Sequence, residues 1–257
     1  VAGDNTILGI DIGGSGVKGA LVDLRKGDFA SERMRIPTPM PRSLDGLLGA
    51  IKEIVDSFKW KGALGCTFPG VIRAQTIETA VNMGKEIFVG VNLAEEIGRV
   101  CACEAWVIND ADAAGVAEMR YGAGKKNKGV VLVLTVGTGI GSALFIDGKL
   151  VPNAEFGQIK MRDKKTDKSL PAEKTCADSI RKMQELSWSV WASRFNKYLQ
   201  YMHSLVWPDL IIIGGGIASK SDKYLHLLDV NCDIMIAGLE NRAGIVGAAY
   251  QAHKMLL

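Results

Sequence analysis

Two periods of apolar residues run along this chain, and they alternate. Ile7–Ile12 and Val17–Asp23 read as strands joined by a glycine turn, and a third strand near Glu32–Pro37 ends in the loop Pro37–Pro41. Leu47, Leu48, Ile51, Ile54 and Val55 then fall at helical spacing over Leu44–Phe58, behind Ser43 as a cap. Ala63–Thr67 is a short buried strand before the turn Pro69-Gly70. "AWVIND" (105–110) is another, running straight into a helix that Gly122 stops. After the glycine- and lysine-rich stretch Gly122–Gly129 the pattern restarts: "VVLVLTV", a glycine turn, "SALFID", a long helical region within Pro171–Leu205, the buried strand "DLIIIGGGI", and a helical tail over Ala243–Leu256. Strands alternating with helices predict an α/β fold with a hairpin opening each half.

The two openings are copies. "DIGGSGVKGALVD" (11–23) and "TVGTGIGSALFID" (135–147) align without a gap at a spacing of 124 (135 less 11), each closing on an aspartate, Asp23 and Asp147. Duplication accounts for this: two similar lobes with a cleft between them. The expected division is an N-terminal lobe over 1–109, with the helix at about 243–257 packing back on it, and a C-terminal lobe over 110–242.

Composition narrows the reading little. The chain of 257 residues is 47% apolar and 23% charged, with a net charge of +3, so nothing calls for nucleic acid or a membrane as partner. No apolar run approaches the roughly 20 residues that span a bilayer. Five scattered cysteines, without a C-x-x-C, read as reduced thiols of a cytoplasmic protein. Cys101-x-Cys103 as half a metal site is the weaker reading. The first residue is Val1, which leaves room for a leader removed before it, an organellar one included.

Glycines at both turns suit backbone N–H groups brought close to phosphate, although glycine also simply makes β-turns. The candidates are Gly13, Gly14, Ser15, Gly16 and Lys18 in the first copy, Thr135, Gly137, Thr138 and Gly139 in the second, and the run Gly214, Gly215, Gly216 after a buried strand. Neither Walker A spacing nor G-x-G-x-x-G is present. Asp11 ends an apolar strand. Its carboxylate serves either a cation such as Mg²⁺, or the backbone N–H groups of the turn below. Asn109 and Asp110 stand where a strand meets a helix, the place where α/β proteins put their chemistry. Asp110 is a candidate base for a hydroxyl proton; the plainer reading makes Asp110 or Asp112 a helix cap.

"GIDIGGSGVKGALVD", "LGCTFPGVI", "TAVNMGK", "INDADAAGVAEMRYGAGK", "LTVGTGIGSALFIDGKLVPNAEFG", "WPDLIIIGGGIASKSDK" and "NRAGIVGAA" together resemble the ROK group of sugar kinases, and within it the members that use inorganic polyphosphate. The resemblance implies an actin-like (ribonuclease H-like) sugar-kinase fold. It also implies transfer of a phosphoryl group from polyphosphate or ATP to the 6-hydroxyl of glucose or a related hexose, in carbohydrate metabolism. Asp110 is then the general base. Asp11 and the glycine loops hold the phosphates and Mg²⁺, Asp11 through water. Pro69, Gly70, Asn82, Asn109, Glu155 and Gln158 line the sugar pocket. No structural zinc is implied, and a homodimer is, with Trp188, Trp191 and Trp207 as its expected aromatic surface. Lys18, Lys125, Lys126 and Lys128, with Lys164, Lys165 and Lys168 further on, are candidates for a polyphosphate groove, or the lysine run is a solvated loop. The family pattern E-F/L-G-H-L-E reads "EFGQIK" here, with Gln158 for the His and Lys160 for the second Glu. Three readings follow: a shifted substrate, a non-catalytic binding or regulatory relative, or a Lys160 that faces solvent beside Arg162.

Overall fold

The computed structural model describes residues 5–81, 83–162 and 169–256. They form two units, Val1–Tyr121 with Arg242–Leu257, and Gly122–Asn241.

The first unit contains β1 (Thr6–Gly13), β2 (Gly16–Asp23), β3 (Asp28–Phe29), β4 (Met34–Ile36), α1 (Leu44–Ser57), β5 (Leu64–Phe68), β6 (Ile72–Arg73), β7 (Thr76–Ile77), α2 (Lys85–Phe88), α3 (Leu93–Cys101), β8 (Ala105–Asn109), α4 (Asp110–Tyr121) and, from the end of the chain, α8 (Ala243–Leu256). Its sheet runs β3-β2-β1-β5-β8, with β4 also beside β2. β1 is antiparallel to β2 and parallel to β5, which is parallel to β8. Alternation along β1 sets the two faces. Leu8, Ile10 and Ile12 join Leu47, Ile51 and Ile54 of α1 and Ile97 of α3 in one buried core. Gly9 faces α8, and so does Gly65 of β5: side chains there would strike the Ile245 and Ala248 carbonyls. These two glycines let a helix lie directly on the sheet. Ser43 caps α1, accepting from the Gly46 N–H at 3.1 Å.

α4 packs along α8, with Gly247 against the Ala113 carbonyl. The division expected between 109 and 110 therefore falls after Tyr121 instead, because α4 shares its partner helix with the first sheet.

The second unit contains β9 (Val130–Val136), β10 (Ile140–Ile146), β11 (Lys149–Val151), β12 (Lys160–Arg162), β13 (Ser169–Pro171), α5 (Glu173–Cys176), α6 (Asp178–Met183), α7 (Trp188–Val206), β14 (Leu210–Gly214) and β15 (Asp233–Ile236). Its sheet order, β11-β10-β9-β14-β15, repeats the first: one antiparallel hairpin, then two parallel strands on the far side of the leading strand. Leu132, Leu134 and Val136 pack with Trp191, Phe195 and Tyr198 of α7 in its core. Trp191 is fully buried and donates its indole N–H to the Cys176 carbonyl at 2.9 Å. Trp188 is half-buried, stacked on Tyr224 and covered by the Arg181 guanidinium at 4.0 Å. So Trp191 is interior rather than the surface expected of it, because α7 uses its aromatic stripe to cover the sheet. Trp207, 69% exposed, is on the surface. Among the described residues no helix is long and apolar enough to cross a membrane.

Candidate active site

β1, β5 and β8 are parallel, with Asp11, Thr67 and Ile108 level across them. Their carboxyl ends therefore finish along one edge, which carries Gly13–Gly16, Pro69-Gly70 and Asn109-Asp110. Ligands of open α/β sheets gather at such an edge.

Asp11 points to the α8 face. Its Oδ2 accepts from Lys18 Nζ at 3.0 Å and its Oδ1 from the Thr67 hydroxyl at 2.9 Å. Thr67, fully buried, in turn accepts from the Ile12 N–H at 3.2 Å. The first turn of α8 closes over the carboxylate: a Cβ at Gly244 would lie 3.2 Å from Oδ1. These partners replace the turn N–H groups weighed for Asp11 from the sequence. Thr67 escaped the sequence reading, although a threonine inside an apolar strand was its available signal.

The turn itself, Gly14-Ser15 between β1 and β2, is braced from outside. Thr38 Oγ1 donates to the Gly13 carbonyl at 2.6 Å, Arg42 Nη2 to the Gly14 carbonyl at 3.3 Å, and Arg35 Nη2 to the Ser15 carbonyl at 2.9 Å. Both arginines were missed in the sequence, since each comes from a segment remote from the glycines.

Asn109 is buried and belongs to the helix as much as to the strand. Its Oδ1 accepts from the N–H groups of Ala111 at 2.9 Å and Asp112 at 3.0 Å, and its Nδ2 donates to the Gly70 carbonyl at 3.1 Å. Asp110 is exposed, with its Oδ1 accepting from the Ala111 N–H at 2.9 Å. The capping weighed for Asp110 or Asp112 is thus shared: Asn109 accepts from both N–H groups and Asp110 from that of Ala111 as well, while Asn109 also ties the Pro69-Gly70 turn to the start of α4. Asn82 lies outside the described residues, as do Lys164, Lys165 and Lys168.

In the second unit the turn Gly137–Gly139 is held by α6. Ser179 donates its N–H to the Gly137 carbonyl at 3.1 Å and its hydroxyl to the Thr138 carbonyl at 2.6 Å. The third glycine run lies beside this turn. Gly214 pairs with Thr135 across the sheet, and a Cβ on Gly137 would come within 3.9 Å of the Gly216 nitrogen. Glu173, not singled out from the sequence, also reaches the turn: a Cβ at Gly139 would sit 2.6 Å from its Oε2.

Ser142 of β10 places Glu155. Its hydroxyl donates to the Ala154 carbonyl and accepts from the Phe156 N–H at 2.9 Å. Glu155 is exposed as a whole, yet partial desolvation raises its carboxyl above the ordinary value, and the Glu173 carboxylate adds to this by repulsion. Gln158 closes a single 3₁₀ turn over Phe156–Gln158 and is exposed. Ile159 and Met161 pack on the core, so Lys160 and Arg162 point outward from β12. Of the three readings for Lys160, this is the solvent-facing one.

At the first turn Asp11 offers a single carboxylate, and both its oxygens already accept hydrogen bonds, from Lys18 and Thr67. Among the described residues there is no group of three or more His, Cys, Asp or Glu side chains able to hold a metal. Mg²⁺ in phosphoryl transfer keeps most of its waters and takes one or two carboxylates beside substrate phosphates.

The chain is similar to a set of known proteins along nearly its whole length. The polyphosphate glucokinase of Mycobacterium tuberculosis is 43% identical over 94% of this chain and 89% of its own length. The crystal structure of the inorganic polyphosphate/ATP-glucomannokinase from an Arthrobacter species superposes with a TM-score of 0.89 at 39% identity, covering 98% of this chain and 99% of that one. A glucokinase from Streptomyces griseus, solved with glucose and AMPPNP, shares the fold at a TM-score of 0.80 and 23% identity, over 97% and 99% of the two chains. The fold is thus the actin-like α/β fold of these sugar kinases. The ROK family model matches residues 7–181, and the chain belongs to the ROK family.

Proposed function

We propose that this chain is a glucokinase that moves a phosphoryl group from inorganic polyphosphate or ATP to the 6-hydroxyl of glucose. Its enzyme class is phosphotransferase with an alcohol acceptor. The relatives at 39–43% identity are enzymes of this kind over almost the full chain, which disfavours the regulatory reading. The observation that carries the assignment of roles is the division of labour at the start of α4. Asn109 accepts from the Ala111 and Asp112 N–H groups, and Asp110, whose Oδ1 shares the Ala111 N–H, is exposed at the carboxyl edge of the sheet.

In this reading Asp110 accepts the proton of the 6-hydroxyl as that oxygen attacks the terminal phosphorus. The new O–P bond forms as the bond to the bridging oxygen breaks, and the donor leaves shorter by one phosphate. Such a reaction needs alignment and charge neutralisation more than covalent help. In the first unit Gly13–Gly16 offers backbone N–H groups to phosphate oxygens and Lys18 offers a cation; in the second, Thr138 and Gly139 offer theirs, the Gly137 N–H being bonded to the Gly139 carbonyl. Asp11 would hold Mg²⁺, which when bound would neutralise charge on the donor phosphates. The Asn109 bond to the Gly70 carbonyl sets the Pro69-Gly70 turn beside the base, and Glu155 and Gln158 serve sugar hydroxyls. The protein acts on small molecules, as a homodimer.

Asp110→Asn tests the assignment. Removing a positioned general base costs about 10²–10⁴ in rate. Glucose-dependent consumption of polyphosphate or ATP should fall by that factor while the thermal melt stays at the wild-type value. Undiminished turnover rejects Asp110 as the base.

A further inference from the structure

Three cations gather at the first glycine turn. Asp11, Lys18 and Arg35 are direct cross-strand partners on β1, β2 and β4, so their side chains share one face in a single row. Asp11 compensates Lys18 at 3.0 Å. Among the described residues Arg35 forms no ion pair, and it stands directly opposite another cation, an arrangement that weakens a sheet. Arg42 brings a third cation from the loop ahead of α1 to the Gly14 carbonyl. The Arg35 guanidinium is held in place. Arg35 lies over Gly16, where a Cβ would come 2.9 Å from its Nε, and it is bonded to the Ser15 carbonyl at 2.9 Å. Two planar forks, from separate segments, thus converge on one turn. The guanidinium is the side chain best shaped for paired hydrogen bonds to phosphate oxygens.

We infer that Arg35 and Arg42, with Lys18, form an anion subsite for the trailing phosphates of an extended inorganic polyphosphate, behind the group that is transferred. The inference rests on the proposed reading of Gly13–Gly16 as a phosphate turn. A nucleoside triphosphate presents three phosphates and then a base. A long linear polyphosphate continues past the turn and meets every cation placed there. The pair of arginines therefore sets donor preference rather than the chemistry itself.

Calorimetric titration with long-chain inorganic polyphosphate and, separately, with ATP and Mg²⁺ tests this on the whole chain. The variants are Arg35→Gln with Arg42→Gln, and Arg35→Lys with Arg42→Lys. The glutamine pair should weaken polyphosphate binding at least tenfold more than it weakens ATP binding, and should flatten the dependence of polyphosphate affinity on salt. The lysine pair should fall between, since it keeps charge without the fork, and it decides the matter if the glutamine pair melts early. Equal weakening for both donors, unchanged polyphosphate binding, or a wild type that binds no polyphosphate overturns the inference. A wild type that phosphorylates no sugar, yet binds polyphosphate through both arginines, would instead remove the kinase reading and leave the subsite standing.

Discussion

The two glycine hairpins agree in their first strands and part company at the turn. β1 and β9 match at the spacing of 124: Ile7–Ile10 and Val131–Leu134 are buried, Asp11 and Thr135 half-buried, Ile12 and Val136 buried again. Beyond the turn the match holds at 123 (141 less 18) instead. Asp11 pairs with Lys18, but Thr135 pairs with Gly141. Burial follows the same correspondence, so Ala20 answers to Ala143 and Val22 to Phe145. The gapless alignment that sets Lys18 over Ser142 and Asp23 over Asp147 is therefore one residue out after the turn. A strand slipped by one residue presents its opposite face to the core. Losing one residue from the turn avoids that. The comparison teaches where charge was kept. The first hairpin has a carboxylate, an ammonium and a buried threonine in contact; at the corresponding positions the second has Thr135, Gly141 and Gly214.

The sharpest way to break this asymmetry is to remove charge from one side and polarity from the other. Asp11→Asn should slow phosphoryl transfer by about 10²–10³, the cost of losing one preorganised electrostatic group. Thr135→Val should cost less than about tenfold on the same basis. Turnover at saturating sugar and donor measures both, and equal losses would mean that the hairpins share the work evenly.

A second test concerns how each leading strand is locked. At Gly215 φ is +79°, and a Cβ would lie 2.6 Å from both the nitrogen and the oxygen of Val136, which are backbone and cannot turn aside. Gly215→Ala should destabilise the protein by about 2–4 kcal/mol, read from denaturant midpoints. Gly216→Ala, with nothing within 4 Å of its Cβ, should be close to neutral. Matching midpoints for the two variants would show that β9 does not depend on the third glycine run.

The smallest effect belongs to Glu155, an exposed residue whose carboxyl is raised from an ordinary 4.5 by partial desolvation and by Glu173. Between its ordinary and raised values the folded chain holds a proton that the unfolded chain has released. Stability contributed by this group is thus lost as pH rises through that window and stays lost above it. Glu155→Gln should melt above wild type at pH 7, and the difference should fade below pH 4.5. No gain at pH 7 would mean that neither desolvation nor the Glu173 carboxylate raises Glu155 in the folded chain.

Much of the fold was legible in the chain. Local alternation set β1, β2 and β14, and Ser43 with its apolar stripe set α1, because those signals lie within a few residues of the backbone they shape. The domain division was not, since α4 follows β8 without a break and only its packing on α8 assigns it. Among site residues, Asp11 and the glycine turns announced themselves as polar or small positions inside apolar runs. Arg35, Arg42 and Glu173 did not, because a long side chain reaches its partner across space and leaves no period behind. Asn109 and Asp110 were legible as a pair, yet their division into cap and exposed carboxylate was not, because both residue types cap helices well.

By itself, then, the sequence determined the repeated α/β plan, the place of the glycine turns, and the carboxylates at strand ends. Periodicity and backbone preference are local, and they are written residue by residue. Tertiary structure decided the register of the second hairpin, the membership of α4, and which groups gather round Asp11 and Gly14. Those depend on hydrogen bonds and packing between segments tens of residues apart, which no local pattern encodes.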